Sequence, residues 1–245
     1  MKKLIALLTA GVMLAGCAAG PDKVALQAQR DAIAKIAKIE IFYNGDDELG
    51  VLDGGGSNMT GLAGLFGPIG LLVAVGVHAN SRLTMAERAQ ARSKEFTTAV
   101  AKSGSEQTLN RQFAEALAAP IRATGKDVKI TPTQRIKAGD LDSEGIPEVQ
   151  ITPGYAPLIL RITTGYVAKD ALSSYRPTIV IEQALKRDGQ ERPLYKNTFT
   201  SPGEEPSYMS YSTILDKNKE AHDGLRRGMV SAAEAVYKSM FAGAQ

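Results

Sequence analysis

Tryptophan is absent, histidine occurs twice, cysteine once, and aromatic side chains make up only 6% of the 245 residues. Each shortage narrows the range of functions. Few rings and no indole argue against a carbohydrate-binding platform, where ring faces carry the affinity. A lone cysteine forms no internal disulfide, so stability in an oxidising compartment has to come from packing. Neither His78 nor His222 has a second histidine three or four residues away and no HExxH occurs, so zinc-ligand spacing is missing. No GxSxG marks a nucleophile elbow, and no serine stands three residues before a lysine as a Ser/Lys hydrolase requires. Gly125-Lys126 lacks the upstream glycine and the following Ser/Thr of a phosphate loop. Asn44, Asp46 and Glu48 alternate before Gly50 like half of a calcium loop, but the glycine comes one place late and Gly55 stands where the closing glutamate belongs. No Lys/Arg stripe interleaved with aromatics gives a nucleic-acid footprint. The expectation is a non-enzymatic protein with no cofactor, no metal and no nucleic-acid partner.

The N-terminus is more informative. Lys2 and Lys3 precede an apolar run from Leu4 to Leu14 that is too short to span a bilayer comfortably, the layout of a secretory signal peptide over 1–16. It closes on Leu14-Ala15-Gly16-Cys17, which contains the only cysteine. This segment resembles the lipobox of bacterial lipoproteins, which signal peptidase II cuts before the cysteine. The resemblance implies acylation of Cys17, palmitate among its chains, and a membrane anchor. Two or more chains hold a protein stably, at about 0.8 kcal/mol per buried methylene. Lipoproteins of this type with Asp after the cysteine tend to stay in the inner membrane. Ala18 at that place implies an outer-membrane, periplasm-facing protein rather than an inner-membrane one. Loss of Lys2 and Lys3 would also leave the 29 basic and 26 acidic residues almost balanced.

Residues 17–35 read as a lipidated tether, with Gly20-Pro21 followed by an Ala-rich helical stretch, and 36–245 as one α+β domain. Ile36 to Tyr43 alternates as a strand. Thr84 and Glu87 make a capping box for a helix to Lys102. Leu109, Phe113, Leu117 and Ile121 recur every fourth residue in the next helix, which Gly125 stops. Asp127 to Thr131 is a short strand, and Val149 and Ile151 a brief edge strand. Pro157 to Val167, Pro177 to Leu185 and Leu194 to Thr200 form an antiparallel meander, its second turn marked by Asp188-Gly189. Asp216 to Phe241 is the closing helix, its apolar face made by Leu225, Met229, Ala233, Val236 and Met240. This order predicts a mainly antiparallel sheet with helices packed on one face. In element order the domain resembles the periplasmic α+β domains of secretion and transport auxiliary lipoproteins.

Within that order sits an apolar, Gly-rich insertion at 54–81. From Thr60 to Ala79 it has about the length of a membrane span, with Gly61, Gly64, Gly67 and Gly70 at every third residue and Pro68 against a continuous helix. Three readings stay open: a hairpin packed on the domain's own sheet, a membrane-inserted element, or a surface for self-association or an envelope partner. In the last two, Leu65, Phe66, Leu71, Leu72 and Val75 make the contact. Tyr208 and Tyr211 in SYMSYS read as loop packing or as a ligand or partner surface. Gly224 and Gly228 let the closing helix approach the sheet. The functional expectation is an accessory or assembly factor of the envelope, the alternative a periplasmic binding module for a lipid or small apolar ligand.

Overall fold

The computed structural model describes residues 23–53, 85–104, 108–135, 149–170, 172–187 and 192–242. Cys17, the segment 54–81 with its five contact candidates, His78 and the Thr84 cap lie outside them. The elements are α1 (Lys23–Ala34), β1 (Lys38–Asn44), β2 (Leu49–Asp53), α2 (Met85–Lys102), α3 (Leu109–Ala123), β3 (Asp127–Thr133), β4 (Ala156–Ala168), β5 (Arg176–Leu185), β6 (Tyr195–Pro202), α4 (Tyr211–Asp216), α5 (Asn218–Tyr237) and a π turn at Lys238–Ala242.

The α+β class holds, but the sheet is mixed rather than mainly antiparallel. Its order is β3-β1-β4-β5-β6, with β2 also on β4. The meander β4-β5-β6 is antiparallel as expected. β1 and β2, by contrast, lie in tandem along the other edge of β4, both parallel to it, and β3 is parallel to β1. Alternating hydrophobicity fixes a strand's faces, not the direction of its neighbour. The long stretch between β2 and β3, with α2 and α3 in it, provides the crossover that parallel neighbours need. Val149 and Ile151 form no strand. They pack instead on Phe42, Ile159 and Ala184, on the face opposite the helices.

Helices α2, α3 and α5 cover the other face. Ile39, Ile41, Leu158, Leu160, Ile162, Tyr166, Ile179 and Ile181 point into a core shared with Phe96, Phe113, Leu117, Leu225 and Met229. Burial of each such large side chain contributes about 1.5–3 kcal/mol. The closing helix is divided: α4 ends at Asp216, Lys217 turns the chain, and α5 resumes at Asn218. Its expected apolar face is buried throughout. The tight approach to the sheet holds at Gly228, whereas Gly224 meets Pro206 of the loop after β6 first and the Tyr166 hydroxyl of β4 behind it. A Cβ on Gly224 would lie 2.2 Å from Pro206 Cδ, and one on Gly228 would lie 2.8 Å from Ile179 Cδ1.

Between β1 and β2 the chain leaves the edge of β4, and a side chain fills the gap. The Asn44 amide accepts from Ile162 N at 2.8 Å and donates to Ile162 O at 3.2 Å, replacing one peptide of the ladder. Asn110 Nδ2 then holds the bend through Asn44 O and Asp46 O. Asp47 caps α3 by accepting from Leu109 N at 2.6 Å and Asn110 N at 3.0 Å, the usual place for a carboxylate at a helix start. Burial raises the Asp47 pKa above the ordinary carboxylate value against these two bonds. The acidic run that resembled half a calcium loop is thus a splice between two strands.

The sheet has two unlike ends. At the base, β1, β3, β4 and β6 begin and β5 ends. Helix α1 lies across this base: Gln29 Nε2 donates to Leu194 O at 2.7 Å, and Lys126 Nζ donates to Ala34 O and Ile36 O at the helix's C-terminal side. At the crown, β2 and β4 end and β5 begins. Helix α2 runs antiparallel to β2, with Thr97 on Leu49 N and Ser93 on Val51 N, so its start also lies at the crown. The 13 residues of β4 span about 40 Å between the two ends.

Candidate functional site at the crown

Three elements converge beside the point where the chain leaves β2. Arg92 of α2 pairs with Asp53 at 2.7 Å and donates to the Tyr175 hydroxyl at 2.9 Å, while its guanidinium lies 4.9 Å from the Tyr211 ring centroid. The Tyr211 hydroxyl closes the cluster with Glu95 Oε2 at 2.8 Å and Arg92 O at 3.0 Å, its single proton shared between them. Tyr175 reaches this place because its backbone bridges Tyr208 in both directions. Below it, Tyr166 stands edge-on to Phe96 and Tyr208, and its hydroxyl donates to Ala221 O.

Burial dominates the electrostatics of the phenols in and below the cluster. Burial raises the pKa of Tyr175, with the Asp53 charge adding to it. Burial and the hydrogen bond to Glu95 raise that of Tyr211, and burial pushes Tyr208 up to about 12. All three phenols stay protonated at neutral pH. Arg92 is committed to three partners, Asp53, the Tyr175 hydroxyl and the Tyr211 ring. On the rim Leu172 is 91% exposed and Met209 77%, each within three residues of the Tyr175–Tyr208 bridge and beside the exposed Arg176, Glu205 and Ser207.

Tyr208 is a core residue, as the packing reading of SYMSYS had it, whereas Tyr211 lines the rim. His222 is buried on α5, and burial lowers its pKa below the ordinary 6.5, so it is neutral at pH 7. Among the described residues no group of three or more side chains is arranged to hold a metal ion. No described helix is long and apolar enough to cross a membrane. Sequence reasoning missed Arg92, Tyr175, Leu172 and Met209. One arginine among several on a helix carries no local signal, and the exposure of Leu172 and Met209 depends on how two distant loops meet.

Two other polar places are visible. On the face away from the helices, buried Arg161 pairs with Glu182 opposite it on β5. Arg135 donates to Ile162 O at 3.1 Å and lies 3.5 Å from Glu48. Burial, helped by the Arg161 charge, lowers its pKa to about 10, which leaves it cationic at neutral pH. An open groove at the junction of α4 and α5 is lined by charged side chains, among them Lys217, Glu220, Asp223 and Arg227.

No family model matches the chain, and no curated protein matches it. Among solved structures it is similar to one described as a neuraminyllactose-binding hemagglutinin homolog from Helicobacter pylori, at 10% identity over 84% of this chain and 86% of that one, with a TM-score of 0.35. A likeness that low carries no argument about function.

Proposed function

We infer that the chain is a lipid-anchored envelope protein, held by Cys17 in the outer membrane and facing the periplasm, which acts as a non-enzymatic accessory or assembly factor. The anchor rests on Leu14-Ala15-Gly16-Cys17. The accessory role rests mainly on the two-ended body: the tether joins α1 at the base, while both described flanks of the apolar insertion, Asp53 and Met85, lie at the crown beside Leu172 and Met209. A protein anchored at one end with apolar side chains at the other is suited to meet a second component away from its own bilayer. That favours an envelope partner or a second copy over reinsertion of residues 60–79 into the anchoring membrane.

The test uses the full chain expressed in a Gram-negative host. Palmitate should be incorporated and lost on Cys17→Ser, with the protein moving from the membrane to the soluble fraction. Crosslinking should capture a partner or a second copy from Leu172 and Met209. Incorporation without any crown crosslink would keep the anchor and remove the assembly role. Lipid retained by the purified protein in native mass spectrometry would move the reading to the binding module.

A further inference from the structure

Charge is spread unevenly between the ends of the sheet. Lys38 opens β1 opposite Asp127, and Lys129 follows two residues later on β3. Both ammonium groups lie over the ring of Tyr155, at 5.6 and 4.8 Å from its centroid. Lys35 ends the α1 segment at the same level. Across β4, the bonds Lys186 N to Pro157 O and Leu194 N to Leu185 O bring Arg187 and Arg192 to the base as well. All five of these cations are exposed. The described carboxylates at this end are Asp31, Glu40, Asp127 and Glu234: Glu40 lies opposite Lys129 in the register, Asp127 accepts from Tyr155, Asp31 from Gln27, and Glu234 pairs with Lys238. Arg30, Lys126, Lys196 and Lys238 stand at the same end, so even with Asp188 and Glu191, which the sequence puts between Arg187 and Arg192, nine cations face six carboxylates. Among the described residues at the crown, Arg88, Arg92, Lys169 and Arg176 are matched by Asp53, Glu87, Glu95 and Asp170, so no such excess arises there.

The base is also the end that the tether reaches. Five residues separate Cys17 from Lys23, a reach of about 20 Å when extended, and α1 lies across the base itself. We propose that the basic base of the sheet is a second, electrostatic membrane contact, which seats the domain on the anionic headgroups of the leaflet holding the Cys17 acyl chains and so points the crown away from it. The proposal rests on the lipid-anchor reading for its geometry. A short tether keeps the local headgroup concentration high, so individually weak contacts act together. Each Lys or Arg at an anionic surface changes the partition constant by about fivefold at physiological salt, and the effect fades within a Debye length of about 8 Å.

The experiment takes the full mature chain with Cys17→Ser and measures co-sedimentation with phosphatidylcholine vesicles, with and without about 30% phosphatidylglycerol. Binding should need the anionic lipid and fall steeply with salt. Lys38→Gln/Lys129→Gln/Arg192→Gln should weaken it more than tenfold, by the same per-charge estimate of about fivefold. Lys169→Gln/Arg176→Gln at the crown should change it by less than about twofold. Amine acetylation of the unsubstituted protein, which needs no variant to fold, should show Lys35, Lys38 and Lys129 protected by vesicles and Lys169 not. Equal binding to both vesicle types, equal loss in the two variants, or equal protection at both ends would overturn the proposal. Absence of palmitate on the natural Cys17 would sink the anchor reading alone, since the vesicle assay does not depend on acylation.

Discussion

Replacing Gln183 by methionine should make this protein more stable. Gln183 sits on the helix-facing side of β5, between Ile181 and Leu185 and opposite Leu160, and is completely buried. Both its amide nitrogen and its amide oxygen lack a hydrogen-bond partner among the described residues. A buried polar group left unsatisfied costs about 1–3 kcal/mol, and this side chain carries two. Methionine has nearly the same length and shape, so it removes the desolvation cost without opening a cavity. Allowing for imperfect packing, the gain should be about 2 kcal/mol. In a domain of this size that raises Tm by about 4–8 °C and shifts the urea midpoint upward at constant m. Gln183→Glu, which places a carboxylate at the same point, should lower stability by several times that gain. The assay is equilibrium urea unfolding followed by circular dichroism. A methionine variant that is less stable than the parent, with m unchanged, would falsify the reasoning, because it would mean that the amide is hydrogen-bonded in solution.

Three further expectations rest on other contacts. A Cβ on Gly165 would lie 2.0 Å from Gly50 O, a backbone atom that cannot step aside, so Gly165→Ala should cost about 3 kcal/mol or more and detach β2; Gly228→Ala meets only the tip of Ile179 and should cost about 1 kcal/mol, both read by urea midpoint. Asn44→Ala removes two bonds to Ile162 and should cost about 2–3 kcal/mol, with hydrogen exchange at Ile162 N rising well above that of its neighbours; an unchanged exchange rate would show that the splice is closed in another way. His222 is held below its ordinary pKa of 6.5 by burial, so the unfolded chain binds the extra proton more readily. Its contribution is complete above pH 6.5 and is lost as pH falls through the lowered folded value. His222→Asn should flatten the stability profile over that interval, and a profile parallel to the parent's would count against it.

How much of this was legible beforehand varies with the kind of information each element carries. Leu109, Phe113, Leu117 and Ile121 announce α3, and Leu225 to Met240 announce α5, because a helix writes its buried face into its own spacing. The antiparallel meander is legible for a similar reason, since its strands are neighbours in sequence; the Asp188-Gly189 turn itself lies outside the described residues. β2 was not, because Leu49–Asp53 is short, contains a glycine and follows an acidic run that reads as loop. Its strand character comes from β4 and from the Asn44 amide, which bonds a residue 118 positions away. The parallel register of β1 and β3 was hidden for the same reason, and so was the crown cluster. Arg92, Asp53, Tyr175 and Tyr211 meet only once four separate elements are placed. Tyr211 alone had a local signal, its place in SYMSYS.

The tandem run of β1 and β2 along β4 has a mechanical consequence. Any tension between Lys38 at the base and Asp53 at the crown travels through β1 and β2, along the strand axis. Their ladders to β3 and β4 are then strained in shear, many bonds together, rather than peeled open one after another. The weak joint on that line is the bend at 44–48, and there the pull falls on the Asn44 amide, the Asn110 side chain and the Asp47 cap. These three side chains set the force at which the two halves of the edge would part.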